Sequence, residues 1–276
     1  MPAVDKVWRL LPANPDEANQ LARGAKVSPV VAQLLLNRGI RDAALAQRFL
    51  AAPLSALHRP ELLPNVPLAA ERIHQAILDK RKICIYGDYD VDGVTGTSIL
   101  LTLLTHLGAN VQFHVPLRLS EGYGLSSEKL RELAEQGVSL VVSVDCGIAS
   151  LEEAEEAKRV GLELIITDHH EMKTRGAEPL LPDASVLVHP RLPGSQYPFD
   201  GLCGAGVAFK LAWALSQRIS GADRVTPDLR ELMLDALGLA ALGLIADVVP
   251  LQDVTASSFA TASSASRRSL RSDLGL

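Results

Sequence analysis

The sequence predicts an α/β fold: a doubly wound, mostly parallel sheet flanked by helices, preceded by a helical amino-terminal region. Three observations predict it. From residue 82 onward, short apolar runs alternate with helix-like stretches, the pattern of successive βαβ units. The runs are apolar throughout rather than at every second position, as strands buried on both faces require. Hydrophobic residues make up 47% of the 276-residue chain and aromatics only 4%, a Leu, Val, Ile and Ala core suited to helices on a parallel sheet.

Residues 1–66 read as a helical, loop-rich region. Ser28 and Pro29 open a helix, with Ser as cap and Pro in the first turn. Val30, Val31, Leu34 and Leu35 give it one apolar face, and Gly39 stops it. Pro60 to Asn65 is a turn-like connector, followed by a helix over 67–80. The α/β domain spans 67–253. Lys82 to Tyr86 is its first strand, followed by an Asp/Gly loop and a helix from Val94 to Leu107. Val111 to Val115 is the second strand. Ser126 and Ser127 open a helix to Gln136, which Gly137 stops. Val138 to Val144 is the third strand. Leu151 to Val160 is a helix with Glu152, Glu153, Glu155 and Glu156 early and Lys158 and Arg159 late, as the helix dipole favours. Leu162 to Thr167 and Val186 to Val188 are the fourth and fifth strands, and two long helices over 206–219 and 227–246 close the domain. Beyond it, 13 of the 23 residues from Val254 to Leu276 are Ser, Ala or Thr without a period, so this tail reads as disordered. The abrupt shift after Asp253 reads as the mark of a truncated or frame-shifted product.

The formal net charge is −5, which gives no bulk attraction to DNA and excludes a chromatin-type binder. Any nucleic-acid contact must use a local basic groove or a metal centre. Cys84, Cys146 and Cys203 stand far apart with no CxxC pair, which excludes a thiolate zinc site and a disulfide framework. No signal core opens the chain. The longest uncharged apolar stretch, Ala236 to Ala246, is far short of the ~18 residues a membrane span needs. The chain reads as cytoplasmic and soluble.

In a parallel α/β sheet, ligands collect outside the carboxyl ends of the strands. Three predicted strands end in acidic or imidazole groups: Asp88, Asp90 and Asp92 after the first, Asp145 after the third, and Asp168, His169 and His170 after the fourth. Asp247 ends the last hydrophobic helix. Each has a simpler alternative. Asp88, Asp90, Asp92 and Gly93 match the start of an EF-hand calcium loop, but Ile99 stands where the closing Glu belongs. Asp145 alone reads equally as a turn former, the histidine pair as surface decoration and Asp247 as a helix end. The joint pattern decides. Carboxylates this close repel one another unless a cation binds. Oxygen ligands with imidazole suit Mn²⁺ or Mg²⁺, and this many ligands suit two ions, the arrangement that cleaves phosphoesters.

Tyr86 to Gly93, Val144 to Gly147, Thr167 to His170 and Ala246 to Leu251 together resemble the ordered motifs of the DHH phosphoesterases. Arg118 to Leu125 and Leu202 to Leu211 resemble the branch of that family that degrades single-stranded DNA. The resemblance implies that Asp90, Asp92, Asp145, His169 and Asp247 are metal ligands, with Asp145 as bridge. It makes Asp88 a further acid near the metals, His170 a contact to the scissile phosphate and Asp168 the acceptor that orients a histidine. Arg118 is then a phosphate contact or a salt-bridge partner of Glu121. Gly204 and Gly206 serve phosphate-facing amides or close helix packing. The implied activity is 5′-to-3′ exonuclease action on single-stranded DNA in repair and recombination. The alternatives are a pyrophosphatase or short-oligonucleotide phosphodiesterase, and an inactive or partner-binding scaffold. Relatives of this branch continue into a DHH-associated domain and an OB-fold, where this chain runs into its Ser/Ala/Arg tail.

Overall fold

The apolar runs become neighbouring parallel strands. The structure is a computed structural model that describes residues 9–51, 53–118 and 122–250. β1 (Ile83–Tyr86), β2 (Val111–His114), β3 (Leu140–Val144), β4 (Glu163–Thr167) and β7 (Val186–Val188) form one parallel sheet in the order β2-β1-β3-β4-β7. Ile83 stands opposite both Val111 and Leu140, and Ile165 opposite both Val142 and Val186. This register brings the carboxyl ends of β1, β3 and β4 to one edge of the sheet.

Both faces are covered. Ile83, Ile85, Leu140, Val142 and Val144 pack into a core with α4 (Val66–Leu78), α5 (Val91–His106), α8 (Gly204–Ser220) and α9 (Pro227–Ala246). The alternate residues Cys84, Tyr86, Val141 and Ile166 face the other way, into a core with α6 (Ser127–Glu135) and α7 (Leu151–Arg159). Each fully buried Ile, Leu or Val contributes roughly 1.5–3 kcal/mol over exposure. The architecture is the doubly wound α/β sheet that the pattern predicts. Among the described residues no helix is long and apolar enough to cross a membrane.

The contacts divide the chain between Pro53 and Leu54. The first unit holds α1 (Pro15–Ala25), α2 (Pro29–Asn37) and α3 (Ala43–Ala51) around a small core of Ala18, Leu21, Ala32, Leu35 and Ala46. Ser28 caps α2 by accepting from the Val31 amide. The division falls earlier than the boundary expected at residue 66, because the connector is part of the larger unit. Pro60–Leu62 forms a 3-10 turn against α4 and α8, and Leu63 and Val66 are fully buried in the larger core.

Three other departures are local. α5 starts at Val91 instead of Val94, since the Asp90 side chain accepts from the Gly93 amide and caps it. α8 starts at Gly204 instead of Gly206, with Cys203 as its cap. An antiparallel hairpin, β5 (Lys173–Arg175) and β6 (Glu178–Leu180), forms a separate two-stranded sheet that the sequence did not announce. The Ser/Ala/Arg-rich tail lies outside the described residues.

Lys210 is the exception in the core. On α8 it is 2% exposed, donates to the His58 carbonyl and lies 4.9 Å from the Trp213 ring centroid. Burial pulls its pKa down to about 7, against the opposing charge of Glu61. Between that value and 10.5 the folded chain holds fewer protons than the unfolded one, so stability rises with pH across this window. Relative to Lys210→Met, the wild type should gain about 3 kcal/mol between about pH 7 and about pH 9.5. Urea unfolding at the two pH values measures the gap. A gap independent of pH would mean that the ammonium keeps its charge in the fold.

Candidate metal centre

β1 runs out at Tyr86 into Gly87-Asp88-Tyr89-Asp90, and the chain turns at once into α5, whose first turn carries Asp92. Only glycine fits at 93, where a Cβ would lie 2.6 Å from that of Asp88 and 2.7 Å from its backbone. Asp145 follows β3 at φ +64, a left-handed conformation that Asp tolerates better than most residues. β4 continues into Asp168-His169-His170. Asp247 closes α9.

Five carboxylates and two imidazoles meet here. Asp88, Asp90 and Asp145 form one set of ligand atoms mutually within 4.8 Å; Asp92, His169 and Asp247 form a second, and Asp145, His169 and His170 a third. Asp145 and His169 are each shared, so the sets are one continuous cluster. His169 Nε2 lies 3.1 Å from Asp145 Oδ1, 3.7 Å from Asp92 Oδ2 and 3.8 Å from Asp247 Oδ2. Asp88, Asp92 and Asp145 are buried, Asp247 is partly buried and Asp90 is exposed.

Burial, followed by the charges of Asp92 and Asp90, pushes the Asp145 carboxyl far above its usual range, with His170 opposing. Burial with Asp90 raises Asp88 against the amides of Tyr89 and Asp90. Burial also raises Asp247, where His169 opposes and Asp92 adds to the rise. Protein contacts alone therefore do not support full ionisation of these three acids. Asp88 Oδ1, Asp145 Oδ1 and His169 Nε2 are buried and make no hydrogen bond, the 3.1 Å approach of the last two not being aligned for one. An unpaired buried polar atom costs about 1–3 kcal/mol. Converging carboxylate oxygens with an imidazole nitrogen fit Mn²⁺ or Mg²⁺.

The surroundings set the shape of the cluster. Asp92 Oδ2 accepts from the Gly204 amide at 2.6 Å and Oδ1 from the Ala205 amide at 2.9 Å, so this carboxylate sits on the amino end of α8. The Gly206 amide is directed to Cys203 Sγ at 3.4 Å. Of the two alternatives for these glycines, phosphate-facing amides and close helix packing, the packing one is favoured by both amides having acceptors within the protein. A Cβ on Gly204 would stand 2.4 Å from Asp145 Oδ1, and one on Gly243 would stand 2.3 Å from Asp92 Oδ1. Gly243 was missed from sequence. Its signal was a glycine inside a long apolar helix, where it costs about 1 kcal/mol against alanine and calls for a packing reason.

Asp168 is engaged with backbone and His170. Its Oδ1 accepts from His170 Nδ1 at 2.8 Å and from the amides of His169 and His170; its Oδ2 accepts from the Ile148 amide at 2.9 Å. Burial opposes its charge, yet His170 and these amides hold its pKa below the usual range. The hydrogen bond to Asp168 in turn raises the pKa of His170. The Arg118 guanidinium lies 5.2 Å from the Tyr89 ring centroid, and Glu121, its expected salt-bridge partner, lies outside the described residues. Tyr89 meets Tyr123 edge-on at 6.4 Å, and Tyr123 places its hydroxyl 3.2 Å from His170 Nδ1. Arg118, Tyr89, Tyr123 and His170 thus form one row of contacts ending at the cluster. Neither tyrosine had been singled out, since each merely sits inside a motif chosen for its acids or its arginine. A cavity of about 540 Å³ opens beside His170, lined in part by Tyr123, Leu125, Ile148, Ser150 and Lys173.

Known proteins resemble this chain over most of its length. The family described as "DHH family, N-terminal domain" matches residues 82–242, more than half of the chain. The single-stranded-DNA-specific exonuclease RecJ of Bacillus subtilis is 44% identical over 246 residues, covering 89% of this chain and 29% of that protein. The crystal structure of RecJ from Thermus thermophilus in complex with Mn²⁺ matches 92% of this chain and 34% of its own, with a TM-score of 0.71 and 34% identity. The Mg²⁺ complex from the same organism matches 92% of this chain and 30% of its own, with a TM-score of 0.60 and 29% identity. The chain therefore spans about a third of the length of these relatives. With the family match running from β1 into α9 across most of the cluster, this chain belongs to the DHH family.

Proposed function

We propose that the chain is the metal-binding catalytic part of a phosphodiesterase that shortens single-stranded DNA from its 5′ end. One observation carries the reading: Asp88, Asp90, Asp92, Asp145, His169 and Asp247 converge from three strand ends and one helix end, with buried ligand atoms that have no hydrogen bond. The DNA preference rests on similarity to proteins named as single-stranded-DNA-specific exonucleases. The 5′ polarity and the link to repair and recombination follow from the resemblance to that branch of the family.

Asp90, Asp92, Asp145, His169 and Asp247 would hold Mn²⁺ or Mg²⁺; Asp145 and His169 each belong to two of the ligand sets, and the family resemblance makes Asp145 the ligand that two ions would share. Bound cations supply Lewis-acid activation of water and neutralise charge gathering on the phosphate. The chain's own groups do the rest. Asp168 fixes the His170 imidazole through Nδ1 and favours its protonated form, which makes it a donor to a phosphate oxygen. Asp88 adds a further acid against the Asp90 and Asp145 ligand atoms. Tyr89 and Tyr123 offer ring faces for bases, contacts worth roughly 1–3 kcal/mol each, and Arg118 offers a guanidinium for a phosphate. With a net charge of −5, binding depends on such local contacts.

Incubation of the chain with 5′-phosphorylated single strands and Mn²⁺ should release mononucleotides, and the double variant Asp90→Ala, Asp145→Ala should release none. Equal release by the variant overturns the assignment.

A further inference from the structure

The strand beside β4 leads into two residues that the reading so far does not use. β7 pairs with β4 in parallel, Thr167 opposite Val188, and the Asp168 amide donates to the Val188 carbonyl at 3.1 Å. His189-Pro190-Arg191 therefore runs alongside Asp168-His169-His170. His189 is fully buried and both of its ring nitrogens are engaged. Nδ1 accepts from the Arg191 amide at 3.0 Å, which places the ring proton on Nε2, and Nε2 donates to the His170 carbonyl at 2.8 Å. Arg191 takes the carbonyl before it: one guanidinium nitrogen donates to His169 O at 2.5 Å while another pairs with Glu171. The segment itself is stiff, since Pro190 has a fixed φ and its carbonyl accepts from the Ser195 hydroxyl at 2.6 Å.

We infer that His189 and Arg191 are positioning residues of the metal centre, holding the successive carbonyls of His169 and His170 so that both imidazoles meet the clustered carboxylates. The loop needs such a hold. β4 ends at Thr167, and two residues later His169 must present Nε2 to three carboxylates at 3.1, 3.7 and 3.8 Å. Ligand distances tolerate only about 0.2 Å, so a small peptide rotation would remove His169 from the set. Asp168 ties the loop to the β3 side through the Ile148 amide. His189 and Arg191 tie it to the β7 side. The loop is thereby gripped from both of its neighbours.

The inference rests on the metal reading, and the test separates the two. Mn²⁺ is titrated into the full chain and its variants, with binding followed by loss of the free-ion EPR signal, and thermal unfolding is recorded without metal. His189→Ala and Arg191→Ala should bind Mn²⁺ on the order of 10-fold more weakly, as loss of a group behind a ligand does. His189→Gln, whose carboxamide donates from near the same place, should recover most of the affinity. Val188→Ala, a buried truncation one residue away, is the control: it should lower the unfolding temperature and leave Mn²⁺ affinity unchanged. Arg191 is only partly buried, so Arg191→Ala decides the matter where His189→Ala does not fold. Unchanged affinity in the folded variants overturns the positioning role and leaves the metal reading intact. Equal weakening in Val188→Ala also overturns it, as a general loss of stability. No Mn²⁺ binding by the wild type overturns the metal reading, and the positioning role with it.

Discussion

Asp145→Asn should unfold at a higher temperature than the wild type when both are free of metal, and at a lower one when both are in excess Mn²⁺. The reversal follows from what surrounds this carboxylate. It is 1% exposed, has an oxygen without a hydrogen bond and lies among the charges of Asp92, Asp90 and Asp168. Its folded pKa stands above the 3.8 of a free carboxyl, reaching about 10. Between those values the folded chain holds more protons than the unfolded one, so metal-free stability falls as pH rises through the window. Asparagine keeps the shape without the charge. The metal-free gain should be on the order of 1–3 kcal/mol. With Mn²⁺ at about 1,000 times its dissociation constant, the wild type gains about 4.1 kcal/mol, and the variant forfeits most of it, more than its metal-free gain. Its cleavage rate should fall by at least the roughly 100-fold that lost outer partners cost a metal site. Thermal scans in EDTA and in Mn²⁺ measure the order. The same order in both would mean that Asp145 is not held against its neighbours.

Asp92→Ala, in the same cluster, should lose stability under both conditions. Asp92 accepts from the amides of Gly204 and Ala205 at 2.6 and 2.9 Å and so joins the start of α5 to the start of α8. Hydrogen bonds to a charged acceptor are worth about 1.5–3 kcal/mol each, and truncation leaves two buried donors unpaired. Removing the charge also relieves Asp145, a smaller effect of opposite sign. The net loss should be about 2–4 kcal/mol, or roughly 4–16 °C at about 2–4 °C per kcal/mol for a chain of this size. Urea unfolding in EDTA should therefore move Asp92→Ala and Asp145→Asn in opposite directions. An Asp92→Ala protein as stable as the wild type would mean that the two amides find other acceptors.

What could be read in the sequence was whatever is encoded locally. β1, β3 and β4 announced themselves because strands buried on both faces are apolar at every position, and the acids that follow them sit where a parallel sheet gathers ligands. The β5–β6 hairpin gave no such sign, since Lys173–Arg175 is wholly exposed and carries no alternation. The sequence pattern starts α5 too late because Gly93 looks like loop; its role, fitting against Asp88, appears only once the turn is folded. It starts α8 too late because Cys203 is not among the usual capping residues. The contacts of Asp92 with Gly204, of Tyr123 with His170 and of Arg191 with His169 span distances in the chain that no local period records.

The closeness of α8 and α9 to the acids has a practical corollary for anyone wishing to toughen this protein. Glycines within helices are the habitual first targets for replacement by alanine, which narrows the unfolded ensemble at little expense. At Gly204 and Gly243 the same recipe would drive a methyl group into a carboxylate oxygen. Gly238, on α9 with nothing within 4 Å of its missing Cβ, is where such hardening has room to begin.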